Sequence, residues 1–172
     1  MQSMFPIAAV TIGQIHFVLA IGALVSGGVA VVLRKGDGIH RLIGFVYALM
    51  MFGMLGTAML IYNLDGEFGP FHVLAIISTA TLVGGLVPAL LRRPGGGRWI
   101  VSHAFFMAWS YVGLLAAAAA ETLTRMPDAP FWGAVVAASS ITVAVGAFVI
   151  ARTVPRAIHG QLSPQASSSS TD

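Results

Sequence analysis

Histidines recur at the beginnings of the long apolar segments of this sequence. His16, His40, His72 and His103 each lie early in such a segment or at its edge, and His159 follows the last one. An imidazole can ligate a metal ion, relay a proton or form a structural hydrogen bond. Because the chain has no cysteine, disulfides, thiolate metal sites and cysteine nucleophiles are excluded. The histidines are therefore the first candidates for chemistry in this chain.

The composition predicts that these segments lie in lipid. Of 172 residues, 57% are hydrophobic and 9% are charged. A soluble domain is typically about 45–50% apolar and roughly 25% charged, so a core of this length could not bury all the apolar surface. The net charge of +3 does not indicate nucleic-acid binding, because the basic residues lie between apolar runs, where they act as topology signals.

Five segments are long enough to cross a bilayer, which takes about 20 apolar residues as a helix. They are Thr11–Leu33, Leu42–Leu64, Phe71–Leu91, Trp99–Ala120 and Phe131–Ala151. Glycine and proline punctuate the short links, which favours antiparallel neighbours. The predicted fold is all-α: a polytopic transmembrane helix bundle with five spans. Residues 1–152 form this domain, and residues 153–172 are predicted to be a polar, disordered cytoplasmic tail.

The charges of the links predict the orientation. One side holds eight basic residues: Arg34, Lys35, Arg41, Arg92, Arg93, Arg98, Arg152 and Arg156. The other side holds Arg125 with four acidic residues: Asp65, Glu67, Glu121 and Asp128. Basic links stay in the cytoplasm, so the N-terminus is expected outside and the C-terminus inside.

If successive spans cross the membrane in opposite directions, the four histidines form two pairs, one near each membrane face. His16 and His72 fall in the outer half of the bilayer at nearly equal height, counted from the far ends of their spans. His40 and His103 fall in the inner half, but His40 precedes Arg41 directly whereas His103 lies five residues beyond Arg98. At about 1.5 Å per residue this is a mismatch of about 7 Å, so the inner pair fits less well.

Two imidazoles from different helices can ligate a haem iron axially, and helix bundles commonly hold such cofactors. Arg41 and Arg98, at the inner face, could pair with haem propionates. Zinc or copper is less attractive because two histidines leave the first coordination shell incomplete. A histidine at a membrane interface can equally serve a structural hydrogen bond with no cofactor, and that interpretation stays open.

The histidine of the first span, the stretch "RKGDGIHRLIGFVYALMM" and the histidines opening the next two spans together resemble a family of predicted bacterial membrane proteins of unknown function. That family is distantly similar to transmembrane di-haem b-type cytochromes. The resemblance covers roughly residues 10–120, and the "KG…HR..G" turn is its most specific element. It implies one or two b-type haems, with His16, His72, His40 and His103 as iron ligands. The fifth span has no histidine in its apolar run, which departs from a four-helix core.

The leading hypothesis is thus a membrane electron-transfer protein of the bacterial inner membrane, with quinone or a small redox donor as partner. The alternatives are a cofactor-free interaction or assembly subunit with interfacial histidines, and a small transporter or metal-handling protein. No catalytic residue is predicted. A ridge of small residues on the fifth span predicts close helix contact, within the chain in preference to another subunit. Its members are Ala134, Ala138, Thr142 and Gly146.

Overall fold

The computed structural model describes residues 4–61, 69–91, 98–128 and 130–168, and these residues contain five helices. They are α1 (Met4–Val32), α2 (Gly38–Ala58), α3 (Pro70–Leu90), α4 (Arg98–Thr124) and α5 (Phe131–Ser168). All five contain a segment long and apolar enough to cross a membrane. No strand occurs in these described residues. The predicted all-α, five-span fold is therefore confirmed, whereas the orientation of the termini stays a prediction.

The second span differs from its prediction at both ends. It was expected over Leu42–Leu64, but α2 begins at Gly38 and ends at Ala58. The helix begins earlier because the side chain of Asp37 caps it, accepting a hydrogen bond from the main-chain N–H of His40. A count of apolar residues detects hydrophobicity and misses such a cap.

The fifth helix also differs from its prediction. α5 continues past residue 152 as far as Ser168, while its spanning segment ends at Arg156. The assignment of residues 153–172 to a separate, disordered tail stays a prediction.

The link between α1 and α2 contains the only described glycine with positive φ, Gly36 at 91°. L-amino acids rarely adopt this conformation, so the turn favours glycine. Beside it, Lys35 donates through Nζ to the carbonyl of Ala30 at 2.8 Å, near the C-terminal end of α1. Burial lowers the pKa of this ammonium group. The turn thus satisfies main-chain groups at both helix ends, because Lys35 serves α1 and Asp37 serves α2.

The chain divides into two compact units, Met1–Ala80 and Thr81–Asp172. In the first unit, α1 and α2 pack through small residues on each side. A Cβ added to Gly22 would lie 3.1 Å from Sδ of Met50, and one added to Gly53 would lie 3.0 Å from a methyl group of Leu19. Such close approach is how helices associate in lipid, where van der Waals packing replaces the hydrophobic effect.

In the second unit, the small-residue ridge of α5 packs on α4. Ala134, Ala138 and Gly146 are buried, and a Cβ on Gly146 would lie 2.5 Å from both methyl carbons of Val112 on α4. The contact lies within the chain, as the intramolecular interpretation predicted. Large apolar side chains such as Phe17, Leu49 and Phe148 are at least 60% exposed, which is the surface expected toward acyl chains.

Candidate functional site

His16 of α1 reaches the last turn of α2. Its Nδ1 lies 3.1 Å from the carbonyl oxygen of Met54 and 3.0 Å from the hydroxyl oxygen of Thr57. The Thr57 hydroxyl donates in turn to the Met54 carbonyl at 2.8 Å. A carbonyl can only accept, so the proton of the neutral His16 ring belongs on Nδ1. The lone pair is then on Nε2, the ring nitrogen that does not contact Met54 or Thr57 in these bonds.

His103 of α4 makes the same kind of bond to α3. Its Nδ1 lies 3.0 Å from the carbonyl oxygen of Gly85, so Nδ1 again carries the proton and Nε2 the lone pair of the neutral ring. Ser102, the preceding residue, donates to the carbonyl of Gly84 at 3.2 Å. Two consecutive side chains of α4 thus bind two consecutive carbonyls of α3.

His72 has the opposite hydrogen-bond direction. It is buried, with 5% of its surface exposed, and its Nδ1 accepts the main-chain N–H of Gly69 at 3.0 Å. Gly69 directly precedes α3, and His72 is the third residue of that helix. A side chain at this position that reaches back to the residue before the helix acts as the Glu or Gln of a capping box does. In the neutral ring the proton of His72 therefore belongs on Nε2.

His40 and Arg41 lie in the first turn of α2. The Asp37 Oδ1 accepts the main-chain N–H of His40 at 2.7 Å, and Nε of Arg41 donates to the Asp37 carbonyl at 3.4 Å. His40 is half-buried and Arg41 is exposed. Arg98, the first residue of α4, is exposed as well. Both arginines thus lie at helix starts, with side chains that solvent or headgroups can reach.

The two predicted histidine pairs differ in whether both members belong to the same compact unit. His16 and His72 both belong to the first unit, where the bonds described above join His16 to α2 and His72 to the residue before α3. His40 belongs to the first unit and His103 to the second, so their pairing stays a prediction. Among the described residues, no group of three His, Asp or Glu side chains could hold a metal ion.

The sequence profile of one protein family matches residues 13–158, which is most of the chain and includes all four histidines of the spans. The chain belongs to the DUF2306 family. The description of this family is a predicted membrane protein, which agrees with the five apolar helices. No curated protein and no solved structure matches this chain. The resemblance to a family of membrane proteins of unknown function is therefore confirmed, and the family description names no activity.

Sequence reasoning missed two of the residues that organise these histidines. Thr57 is remote from His16 in the chain, and no pattern of residues joins them before the helices are packed. Asp37 had a usable signal, because an aspartate just before an apolar run is a typical N-cap. The carbonyl partners, Met54 and Gly85, have no signal at all, since every residue carries a carbonyl.

Proposed function

We propose that this protein binds b-type haem in the membrane and carries single electrons, with His16 as an iron ligand in the first unit and His103 as a separate iron ligand in the second. One observation supports this most directly: each ring donates Nδ1–H to a main-chain carbonyl of a neighbouring helix. Histidines that ligate metals almost always donate their other ring N–H in this way, because the bond fixes the tautomer and the ring orientation. The lone pair of the neutral ring is then on Nε2, the atom that would ligate iron. When bound, haem supplies the one-electron carrier.

The residues around His16 suit such a group. Among the described residues, no atom lies within 4 Å of a Cβ placed on Gly13, one helical turn before His16. A flat macrocycle needs small residues beside its ligand, and Gly13 provides that room. Arg41 lies at the opposite end of α2 from the Met54 carbonyl that His16 binds. The exposed guanidinium groups of Arg41 and Arg98 would therefore suit the propionates of a haem at the predicted inner face.

The observed hydrogen bond of His72 is not the one that an iron ligand would make. Its Nδ1 accepts the Gly69 N–H, so Nε2 of the neutral ring carries a proton. To ligate iron it would have to exchange this bond and its tautomer. We therefore propose His16 as the principal ligand of the first unit and keep His72 as a second ligand to be tested. His40 stays a candidate ligand from its position at the start of α2, and a His40→Ala variant tests it in the same way.

Absorbance tests the proposal. The protein is expressed in haem-replete cells and purified, and a Soret peak with a sharp reduced α-band is expected. His16→Ala and His103→Ala should each remove at least half of the haem per protein. His72→Ala is the matched comparison: loss of the sharp α-band with haem retained would make His72 the second axial ligand. Full haem binding in the His16→Ala, His103→Ala double variant would refute the proposal.

The cofactor-free alternative, an interaction or assembly subunit of the membrane, has one specific observation in its favour. His72, the most buried of these histidines, uses its Nδ1 to cap α3, which is a structural task. The absence of a Soret peak after expression with excess haem, together with a His16→Ala variant that only loses stability, would favour this role over haem binding. Quinone or a small redox donor as electron partner, and the bacterial inner membrane as location, belong to the haem proposal.

A further inference from the structure

Pro88 lies inside α3, two residues before the helix ends. Proline has no main-chain N–H, so the carbonyl four residues earlier loses its partner in the helix, and the ring presses against it. That carbonyl belongs to Gly84. In lipid no water can replace the missing donor, so a transmembrane proline is tolerated where another group satisfies the carbonyl.

The missing donor comes from α4. The hydroxyl of Ser102 donates to the Gly84 carbonyl at 3.2 Å, and Nδ1 of His103 donates to the next carbonyl, that of Gly85, at 3.0 Å. The donors are consecutive in sequence and so are the acceptors. All of these residues belong to one compact unit of the chain.

Two glycines make this contact possible. A Cβ on Gly84 would lie 3.1 Å from the ring of Phe106, and one on Gly85 would lie 2.8 Å from Cγ of Met107 and 3.0 Å from its main-chain nitrogen. Side chains at these positions would hold α4 away from α3. Because both residues are glycines, the short side chain of Ser102 reaches the α3 main chain.

We propose that Pro88 is a positioning residue for His103. By removing the helical partner of the Gly84 carbonyl, Pro88 creates the acceptor that Ser102 binds, and this bond places the next side chain, His103, on the Gly85 carbonyl with its proton on Nδ1. The use of this tautomer for ligation rests on the proposed function. The pair of hydrogen bonds from Ser102 and His103 to α3, called the α3–α4 lock below, does not. A proline in one helix thus sets the orientation of an imidazole in another.

A double-mutant cycle on the full chain in detergent, purified without added haem, tests the α3–α4 lock. Ser102→Ala should lower the equilibrium constant for folding about threefold, which corresponds to the average hydrogen bond between membrane helices. In a Pro88→Ala background the loss should disappear, because alanine restores the N–H that the Gly84 carbonyl lacks. Val87→Ala is the matched control: it alters the same turn and keeps its N–H, so the threefold loss should persist. Equal losses from Ser102→Ala with and without the Pro88→Ala change would overturn the proposal.

The tautomer of His103 gives an independent measurement. In protein labelled with ¹⁵N-histidine, the His103 ring should show the Nδ1–H tautomer, and Pro88→Ala should shift it to a mixture. A ring protonated on Nε2 in the unaltered protein would contradict the proposal. If Pro88→Ala does not fold, the stabilities of Ser102→Thr and Ser102→Val are compared instead. These side chains match in shape and differ in the hydroxyl, so the threonine variant should be the more stable. Equal stability of these two would overturn the α3–α4 lock. Both readouts are made without haem, so a failure of haem binding leaves them intact.

Discussion

At the scale of single residues, the three histidines with described ring bonds differ in the direction of those bonds. His16 and His103 donate from Nδ1 to carbonyls of a neighbouring helix, whereas Nδ1 of His72 accepts an N–H from the start of its own helix. The sequence shows an imidazole near the start of a span in each case. The proton position depends on whether the facing group is a carbonyl or an N–H, which only the packed main chain determines.

The hydroxyl of Thr57 is expected to stabilise the contact between α1 and α2. Thr57→Val removes one of two acceptors of the His16 ring and leaves the Met54 carbonyl. We expect a loss of about 0.6 kcal/mol in the free energy of unfolding, the average for a hydrogen bond between membrane helices, with the His16 proton still on Nδ1. Denaturant titration and ¹⁵N-histidine spectra measure the two effects.

Thr79→Val is the control for this variant. The Thr79 hydroxyl bonds to the carbonyl of Ala75 in its own helix, so its loss should cost less than the loss of the Thr57 hydroxyl, which joins two helices. The stabilising role of Thr57 would be contradicted if both variants lost the same stability.

At the scale of elements, the spans could be predicted from apolar runs, but their ends depend on caps. The first span was expected to begin at Thr11, whereas α1 begins at Met4. The second ends six residues before the predicted Leu64, because the run of apolar residues outlasts the helix. Asp37 caps α2 through its side chain, and the main-chain N–H of Gly69, just before α3, bonds to His72. A hydropathy count registers neither contact.

Gly146 is expected to be essential for the packing of α5 on α4. In Gly146→Ala the new methyl group would lie 2.5 Å from both methyl carbons of Val112, well inside van der Waals contact. We expect a loss of about 1–3 kcal/mol in the free energy of unfolding, as for other overpacked cores. Val112→Ala in the same chain should restore part of it, because it removes the atoms that clash. Denaturant titration of the single and double variants measures both effects.

Gly56→Ala is the matched control on another helix. No described atom lies within 4 Å of a Cβ placed there, and alanine is the better helix former by up to about 1 kcal/mol. This variant should be neutral or stabilised. A Gly146→Ala protein as stable as Gly56→Ala would show that α5 does not depend on this contact.

At the scale of the whole molecule, the lengths of the apolar runs predict five spans, because lipid requires each span to be a continuous apolar helix. They do not predict which faces meet. The packing contacts use Gly22, Gly53, Gly85 and Gly146, but glycine is scattered over every span, and the sequence does not distinguish a glycine in a contact from Gly56 in open space. For the same reason the sequence could place four histidines near the membrane faces and could not show which groups they bind.

The charge asymmetry predicts that the C-terminus is cytoplasmic and that the link between α4 and α5 is outside. Because the chain has no cysteine, single cysteines report the topology without background. Met126→Cys, at an exposed position of that link, should react with a membrane-impermeant maleimide in intact spheroplasts of a bacterial host. Ser170→Cys should react only after lysis, since the eight basic residues predict that its side of the protein faces the cytoplasm. Labelling of Ser170→Cys before lysis, with Met126→Cys protected, would invert the orientation and exchange the faces assigned to His16 and His103.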